Sequence, residues 1–136
     1  MKQDSKLTIG GAQFGMDYGV TNTTGKITKN EFKKIIDYAI VSKIESIDTA
    51  AAYGESEITI GNEASCAKFE VDTKISAIIK GNEQDKCDEV MDARLSQSQR
   101  NLRRKEIRVL YFHDNDENTE NRLRWALQKK SLGIVK

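Results

Sequence analysis

The chain has few of the residues that build disulfide frameworks, zinc sites or membrane spans. Its 136 residues include no proline, one histidine and two cysteines, and Cys66 and Cys87 lie in no CxxC motif or Cys/His cluster. These absences argue against a zinc site and against a secreted, disulfide-linked domain. No apolar run approaches the roughly 18 residues of a membrane helix, and no apolar stretch of the signal-peptide kind follows the N-terminal lysine. We therefore expect a protein of a reducing, cytoplasmic compartment.

Charge of one sign is lacking as well. The chain carries 22 lysines and arginines against 21 aspartates and glutamates, a net charge of +1, and the two signs alternate along the sequence. The electrostatic footprint of a nucleic-acid-binding protein is therefore missing. The basic run at 100–105 is followed by Glu106, and we interpret it as the solvated end of a helix that complements the helix dipole. We expect a small-molecule partner, with no nucleic acid and no membrane.

The fingerprints of several common chemistries are absent. The sequence contains neither GxGxxG nor GxxxxGKS, the glycine-rich loops that bind dinucleotides and nucleoside triphosphates. It contains no GxSxG motif and no Cys/His pair that would suggest a nucleophile. One histidine and scattered carboxylates predict no metal site.

Short β-rich runs alternate with longer amphipathic stretches. Predicted strands cover residues 7–12, 44–48, 69–75 and 107–112, and residues 134–136 would start a fifth. The first helix begins at a capping box formed by Thr28 and Glu31. Apolar residues at helical spacing follow it: Phe32, Ile35, Ile36, Ala39 and Ile40.

Three further helices are predicted after the later strands. One follows Asp48 and ends near Gly61, and another presents one face at 91–102 made of Met91, Leu95, Ser98 and Leu102. The last covers 121–130, carries Leu123, Ala126 and Leu127, and is capped by Gly133. Repeated strand-helix units predict an α/β fold with a parallel sheet. A doubly wound sheet and a piece of a (β/α) barrel both fit, because they use the same unit.

Polar side chains stand where three of the predicted strands end. Asp48 closes the second strand and Tyr53 follows it by five residues, Lys74 lies near the end of the third, and His113 follows the fourth. Each has an ordinary structural explanation, as a cap, a packed ring, a solvated cation or a structural imidazole. Because the carboxyl ends of parallel strands share one edge, the four are expected to converge.

Together these four side chains form a plausible proton donor. A phenol, with a reference pKa of about 10, donates a proton readily near neutral pH only when a neighbouring cation stabilises its phenolate. Lys74 can supply that cation and Asp48 can hold it by charge pairing. His113 can donate a hydrogen bond to the oxygen that receives the proton. The set suits the reduction of a carbonyl group.

Four motifs in order resemble the aldo-keto reductase family, most closely its bacterial QFGxDYG-type members. They are IGGAQFGMDYG at 9–19, IDTAAAYGESE at 47–57, DTKI at 72–75 and VLYFHD at 109–114. The resemblance implies an NADPH-dependent oxidoreductase that reduces an aldehyde or ketone. Its catalytic tetrad would fall on Asp48, Tyr53, Lys74 and His113, with Tyr53 as proton donor.

The resemblance also implies where the cofactor and the fold would lie. Gly11, Ala12 and Gln13, with Asp48, would lie near the nicotinamide ribose. Residues 1–136 would form a single truncated domain, the first half of a TIM (β/α)8 barrel with four units and the start of a fifth strand. A whole barrel needs about 250 residues, so much of the NADPH site is expected in the missing half.

The sequence departs from the family pattern in three places and in length. Gly11 stands where threonine is usual, Ala51 where proline is common, and Arg108 where an aspartate often opens the fourth strand. Half a barrel would expose two sheet edges and, we expect, an apolar inner face. This predicts self-association, poor stability, or completion by a separate second half.

Two other interpretations remain open from the sequence. The chain could be a truncated remnant or interaction module that keeps the motifs without catalysing a reaction. It could also be a small flavodoxin-like binding domain in which the four side chains are coincidental.

Overall fold

The computed structural model describes residues 7–79, 86–114 and 119–136. Its strands are β1 (Thr8–Gly10), β2 (Ser46–Asp48), β3 (Glu70–Ile75) and β4 (Val109–Phe112). They form one parallel sheet in the order β1-β2-β3-β4. Neighbours in space are neighbours in sequence, as in a (β/α) barrel, whereas a doubly wound or flavodoxin-like sheet reverses its strand order. The strand order therefore decides for the barrel and against the flavodoxin-like alternative.

The helices follow the strands as predicted, with two short additions. They are α1 (Ala12–Gly15), α2 (Lys29–Val41), α3 (Ser56–Asn62), α4 (Cys87–Leu102) and α5 (Thr119–Ser131), with a 3-10 helix at Ala64–Lys68. The capping box at the start of α2 is confirmed. The Thr28 hydroxyl accepts from the Glu31 amide at 3.2 Å, and the Glu31 carboxylate accepts from the Thr28 amide at 2.9 Å.

The predicted start of a fifth strand is also present. Ile107 forms a parallel bridge with Val135, just before β4 begins. The Ile107 amide donates to the Ile134 carbonyl at 3.1 Å, and the Lys136 amide donates to the Ile107 carbonyl at 3.2 Å. The end of the chain therefore extends the sheet beside β4, which continues the barrel order.

The outer face of the sheet is mostly apolar and packs on the helices; Thr73 also lies on this face and donates to Glu57 of α3 at 2.7 Å. Ile47, Val71 and Ile75 point to this side and are almost completely buried. The face predicted for α4 is confirmed, since all four of its residues are buried: Met91, Leu95, Ser98 and Leu102. This interface between sheet and helices is the hydrophobic core.

The inner face of the sheet is polar, so the expectation of an apolar inner face was wrong. Side chains alternate along a strand, and the register places Thr8, Ser46 and Asp72 on the same side as Asp48 and Lys74. The Thr8 and Ser46 hydroxyls are hydrogen-bonded at 2.7 Å. Strands of three to six residues offer too few positions for the sequence pattern to reveal which face is apolar.

Arg108, one of the departures from the family pattern, is tied to this polar face. Its Nε donates to Asp72 Oδ1 at 2.7 Å, its Nη2 pairs with Asp72 Oδ2, and its Nη1 lies 3.3 Å from a Glu70 carboxylate oxygen. The hydrogen bonds that Arg108 donates to Asp72 hold the pKa of Arg108 above its usual value. The nearly buried Asp72 carboxylate thus has a cationic partner.

Helix α5 buries a different face from the one its leucines indicate. Leu123 and Leu127 are 51% and 67% exposed, whereas Trp125 is buried. The Trp125 indole N–H donates to Asp92 Oδ1 of α4 at 2.8 Å, and the Lys129 ammonium lies 2.5 Å from the same oxygen. A buried indole contributes a large apolar area and needs a partner for its N–H, so it decides which side of α5 faces α4.

The basic run at 100–105 is only partly a solvated surface. Arg100 and Arg103 are exposed, as interpreted, but Arg104 is half-buried and donates to the carbonyl of Cys66 at 2.6 Å. Burial raises the pKa of the Cys66 thiol to about 12, while Cys87 at the start of α4 is only partly buried. Within the described ranges, no helix is long and apolar enough to cross a membrane.

Candidate active site

The structure brings the four predicted side chains together at the carboxyl edge of the sheet. Asp48 is the last residue of β2 and pairs with Asp72 of β3. Lys74 lies two residues beyond Asp72, on the same face of the sheet. Tyr53 follows β2 in a loop, and His113 follows β4, where its amide donates to the Ile75 carbonyl at 2.9 Å. The geometry that the strand ends predicted is therefore present.

The Lys74 ammonium is held by three oxygens. It donates to both carboxylate oxygens of Asp48 at 2.6 Å and to the carbonyl of Thr49 at 3.0 Å. An ammonium has three N–H donors, so these acceptors use all of them. The Lys74 side chain is 20% exposed and that of Asp48 is 34% exposed. The hydrogen bonds therefore fix the position of a cation that is only half-buried.

The Tyr53 ring lies between the cation and the imidazole. Lys74 Nζ is 5.2 Å from the ring centroid, and the His113 ring is 5.7 Å away at an interplanar angle of 80°. Among the described residues, nothing is hydrogen-bonded to the Tyr53 hydroxyl. Within that part of the chain, the hydroxyl is therefore available to donate a hydrogen bond to a bound molecule.

A second phenol near the cation was not singled out from the sequence. Tyr111 pairs with Lys74 in the β3-β4 register, its ring centroid is 5.9 Å from Lys74 Nζ, and the residue is 47% exposed. Its position two residues before His113 in an alternating strand was the available signal, because it places Tyr111 on the inner face.

The loop that carries Tyr53 is anchored on both sides. The Ala51 amide donates to the Lys74 carbonyl at 2.9 Å, which ties the loop to β3. On the other side Gly15 packs against the loop so closely that a Cβ there would lie 1.9 Å from the Tyr53 carbonyl oxygen. A side chain at position 15 would displace the loop, so the glycine is needed to seat Tyr53 beside Lys74.

The residues predicted to lie near a cofactor ribose differ in how accessible they are. Gly11 is buried, its amide donates to the Asp48 carbonyl at 2.7 Å, and its carbonyl accepts from the Ser56 hydroxyl at 2.7 Å. Ala12 and Gln13 are half-buried in α1, and the Gln13 side chain donates to the Tyr18 carbonyl. Asp48 keeps an exposed edge.

Open space lies instead over Gly10, which was not singled out. Gly10 pairs with Asp48 in the β1-β2 register, and a Cβ at Gly10 would meet no atom within 4 Å. A group approaching Asp48 from the inner face can therefore lie flat against the backbone of β1.

The described ranges contain no group of three or more His, Cys, Asp or Glu that could hold a metal ion.

Comparisons with known proteins agree with this fold. A putative aldo-keto reductase from Pseudomonas aeruginosa superposes with a TM-score of 0.75 at 21% identity, covering 96% of this chain and 53% of that one. An aldo-keto reductase from Bacillus halodurans in its holo form superposes with a TM-score of 0.72 at 16% identity, covering 96% and 44%. This chain thus spans about half the length of those structures. No curated protein sequence matches it.

The sheet of four parallel strands matches part of the TIM barrel of these reductases. The sequence pattern of the aldo/keto reductase family matches residues 6–136, which is nearly the whole chain. The chain therefore belongs to the aldo/keto reductase family.

Proposed function

We propose that this chain carries the proton-donating half of an NADPH-dependent oxidoreductase that reduces an aldehyde or ketone to an alcohol. The observation that carries the proposal is the contact chain from the Asp48 carboxylate through the Lys74 ammonium to the Tyr53 ring. Family membership supports oxidoreductase chemistry in general. The finer assignment of Tyr53 as proton donor rests on a hydroxyl with no hydrogen-bond partner among the described residues, on a ring 5.2 Å from a fixed cation.

Each of the four residues has a separate role in this proposal. Tyr53 gives its proton to the carbonyl oxygen as that oxygen gains negative charge. Lys74 stabilises the phenolate left behind, and Asp48 keeps the ammonium charged and in place. His113, whose ring is exposed beside Tyr53, donates a hydrogen bond that orients the carbonyl. The edge-to-face contact of 5.7 Å between the two rings places both groups next to each other.

A bound NADPH would supply the hydride that adds to the carbonyl carbon. The residues present fit the nicotinamide end in part: Asp48 offers a carboxylate edge, and the open surface over Gly10 allows a flat group to approach it. Ala12 and Gln13 lie next to this surface in α1, while the polar groups of Gly11 are occupied within the fold. We therefore propose Asp48, Ala12 and Gln13 as contacts and Gly11 as a packing residue.

Substitution of Tyr53 tests the proton donor directly. The Tyr53→Phe variant should lose NADPH-dependent reduction of a simple aldehyde by about 100-fold or more, because the acid is removed. Its affinity for NADPH should change little, because the ring remains. Tyr38→Phe, on the exposed side of α2, is a matched control that should keep full activity. Equal loss of rate and of NADPH affinity would mean that Tyr53 binds the cofactor instead.

Tyr111→Phe separates the two phenols near Lys74. If Tyr53 is the donor, Tyr111→Phe should keep most of the rate. If Tyr111→Phe abolishes reduction and Tyr53→Phe does not, the assignment is overturned.

Binding of NADPH is tested separately. A saturable change in NADPH fluorescence on adding the chain would support the enzyme, and no change up to millimolar cofactor would favour a non-catalytic interaction module.

A further inference from the structure

A cavity of about 310 Å³ opens beside His113 at the carboxyl ends of β2, β3 and β4. It is separate from the Lys74 contacts but shares His113 with the candidate active site. Its walls combine two methyl groups from the Tyr53 loop and Ile75 of β3 with polar side chains from the residue after β3, from α4 and from the two residues after β4. The residues that matter here are Ala51, Ala52, Ser76, Arg94, Gln97 and His113.

Among the described residues one acid, Asp114, lines this cavity, and hydrogen bonds stabilise its carboxylate. Asp114 Oδ2 accepts from the Ser76 hydroxyl at 2.7 Å, and Oδ1 accepts from the amides of Ala77 at 2.6 Å and Ile78 at 3.2 Å. Three donors therefore surround this carboxylate, and they fix the segment that follows β3. The wall of the cavity is held in shape without any ligand.

Arg94, on α4, leaves most of its hydrogen-bonding capacity unused. Its Nη1 donates to the Ser76 carbonyl at 2.7 Å, which fixes the guanidinium at the cavity wall. A guanidinium has five N–H donors, and no other acceptor for them lies among the described residues. No carboxylate of those residues is within ion-pair distance of Arg94. A half-buried, positioned cation with no acidic partner in the described ranges is suited to bind an anion from outside.

We propose that Arg94 binds a carboxylate group carried by the carbonyl substrate. The inference rests on the proposed function, because it takes the reacting carbonyl to lie between Tyr53 and His113. His113 borders both regions, so a small molecule with its carbonyl at Tyr53 can extend its other end past Ala52 into the cavity. The remaining guanidinium donors form a planar fork that matches the two oxygens of a carboxylate. Gln97 lies at the same wall, and its side-chain amide is held by hydrogen bonds to Asn101 and from Arg100.

Binding of benzoate tests this site without requiring catalysis. The chain with ¹³C-labelled alanine methyl groups and ¹⁵N-labelled arginine is titrated with benzoate and, in parallel, with benzamide, which has the same shape and no charge. We expect saturable shifts of the Ala51 and Ala52 methyl signals and of the Arg94 Nε–H with benzoate only. Equal responses to both compounds, or no response, would overturn the proposal.

Two arginine variants show which positive charge binds benzoate. Arg94→Gln should weaken benzoate binding by about 10- to 100-fold, the loss expected for a charge-assisted hydrogen-bonded pair. Arg124→Gln removes the same charge from an exposed position on α5 and should leave binding unchanged. Equal weakening by both variants would indicate a general charge effect and would contradict a site at Arg94.

Turnover separates this inference from the proposed function. If the chain reduces aldehydes, Arg94→Gln should lower kcat/KM for 4-carboxybenzaldehyde about 10-fold or more and leave kcat/KM for benzaldehyde nearly unchanged. An equal loss for both substrates would overturn the assignment of Arg94 as a specificity residue. Benzoate binding that depends on Arg94 supports the carboxylate site even in a chain that reduces nothing, in which case only the proposed function fails.

Discussion

The two faces of the sheet are built from the same short strands and serve different purposes. The outer face includes Ile47, Val71 and Ile75, which are packed against helices and closed to water. The inner face carries Asp48, Lys74 and other polar groups, and part of it is open. Because neighbouring residues in a strand point to opposite sides, a single strand such as β3 supplies Ile75 to the core and Lys74 to the site.

This division shows where stability and chemistry are located. Removing apolar atoms from the outer face should cost folding free energy, whereas changes on the inner face should alter activity with smaller effects on folding. Self-association stays a prediction, and because the inner face is polar it would not be driven by an apolar inner surface. Exposed apolar residues occur on the helices, at Tyr38, Val41 and Leu127, and also outside them, as at Val20.

The largest expected effect is on the inner face. Lys74→Met removes the ammonium and should reduce the rate of NADPH-dependent aldehyde reduction by about 100- to 10,000-fold. The free energy of unfolding should change little, because the remaining Asp48 carboxylate is one-third exposed and can be hydrated. Steady-state kinetics and urea denaturation measure the two quantities. Lys33→Met, on the exposed side of α2, is the control. A Lys74→Met variant that unfolds would show that the pair is structural.

On the outer face, Ile47→Ala should destabilise the fold by about 2 to 4 kcal/mol. The side chain is completely buried, so truncation leaves a cavity under β2. Urea denaturation followed by circular dichroism gives the free energy of unfolding. Ile35→Ala, at a partly exposed position of α2, should cost much less and serves as the matched control. Similar losses for the two variants would contradict the division between faces.

The ion pair between Arg108 and Asp72 tests whether part of the inner face is structural. Arg108→Gln leaves the nearly buried Asp72 carboxylate without its cation, and we expect a loss of about 2 kcal/mol of unfolding free energy. Adding Asp72→Asn should recover most of this loss, because the unpaired charge is then removed. If the double variant is as unstable as Arg108→Gln, the unpaired Asp72 charge is not the cause of the lost unfolding free energy.

The smallest effect concerns acid stability. Burial tends to raise the pKa of Asp114, but hydrogen bonds from the Ser76 hydroxyl and from the Ala77 and Ile78 amides outweigh burial and hold this pKa below its usual value. A lowered pKa stabilises the fold above the unfolded value of about 3.9. This stability is lost as the pH falls through the folded value.

The Asp114→Asn variant should therefore melt below the unmodified chain at pH 6, and the difference should shrink as the pH falls below about 4. Differential scanning calorimetry at both pH values measures the two melting temperatures. Asp37→Asn, on the exposed side of α2, should show little difference at either pH. A gap for Asp114→Asn that widens in acid would contradict the assignment.

The chain order of elements and the convergence of four side chains could be predicted because each depends on local signals. Thr28 and Glu31 marked the start of α2, and the rule that parallel strands end at one edge placed Tyr53 near Lys74. The buried face of α5 could not be predicted, because Leu123 and Leu127 follow helical spacing as well as Trp125 does. The position of Arg94 at a cavity wall could not be predicted either, because an arginine on a helix is usually solvated.

The difference between the two cysteines has a practical consequence. Thiolates, not thiols, react with maleimides, so Cys66, buried and with its pKa raised to about 12, should resist alkylation while the fold is intact. Cys87 is only partly buried at the first turn of α4, the helix that also carries Arg94. The native chain therefore offers one selective attachment point for a fluorophore, and labelling of Cys66 reports on unfolding without any added mutation.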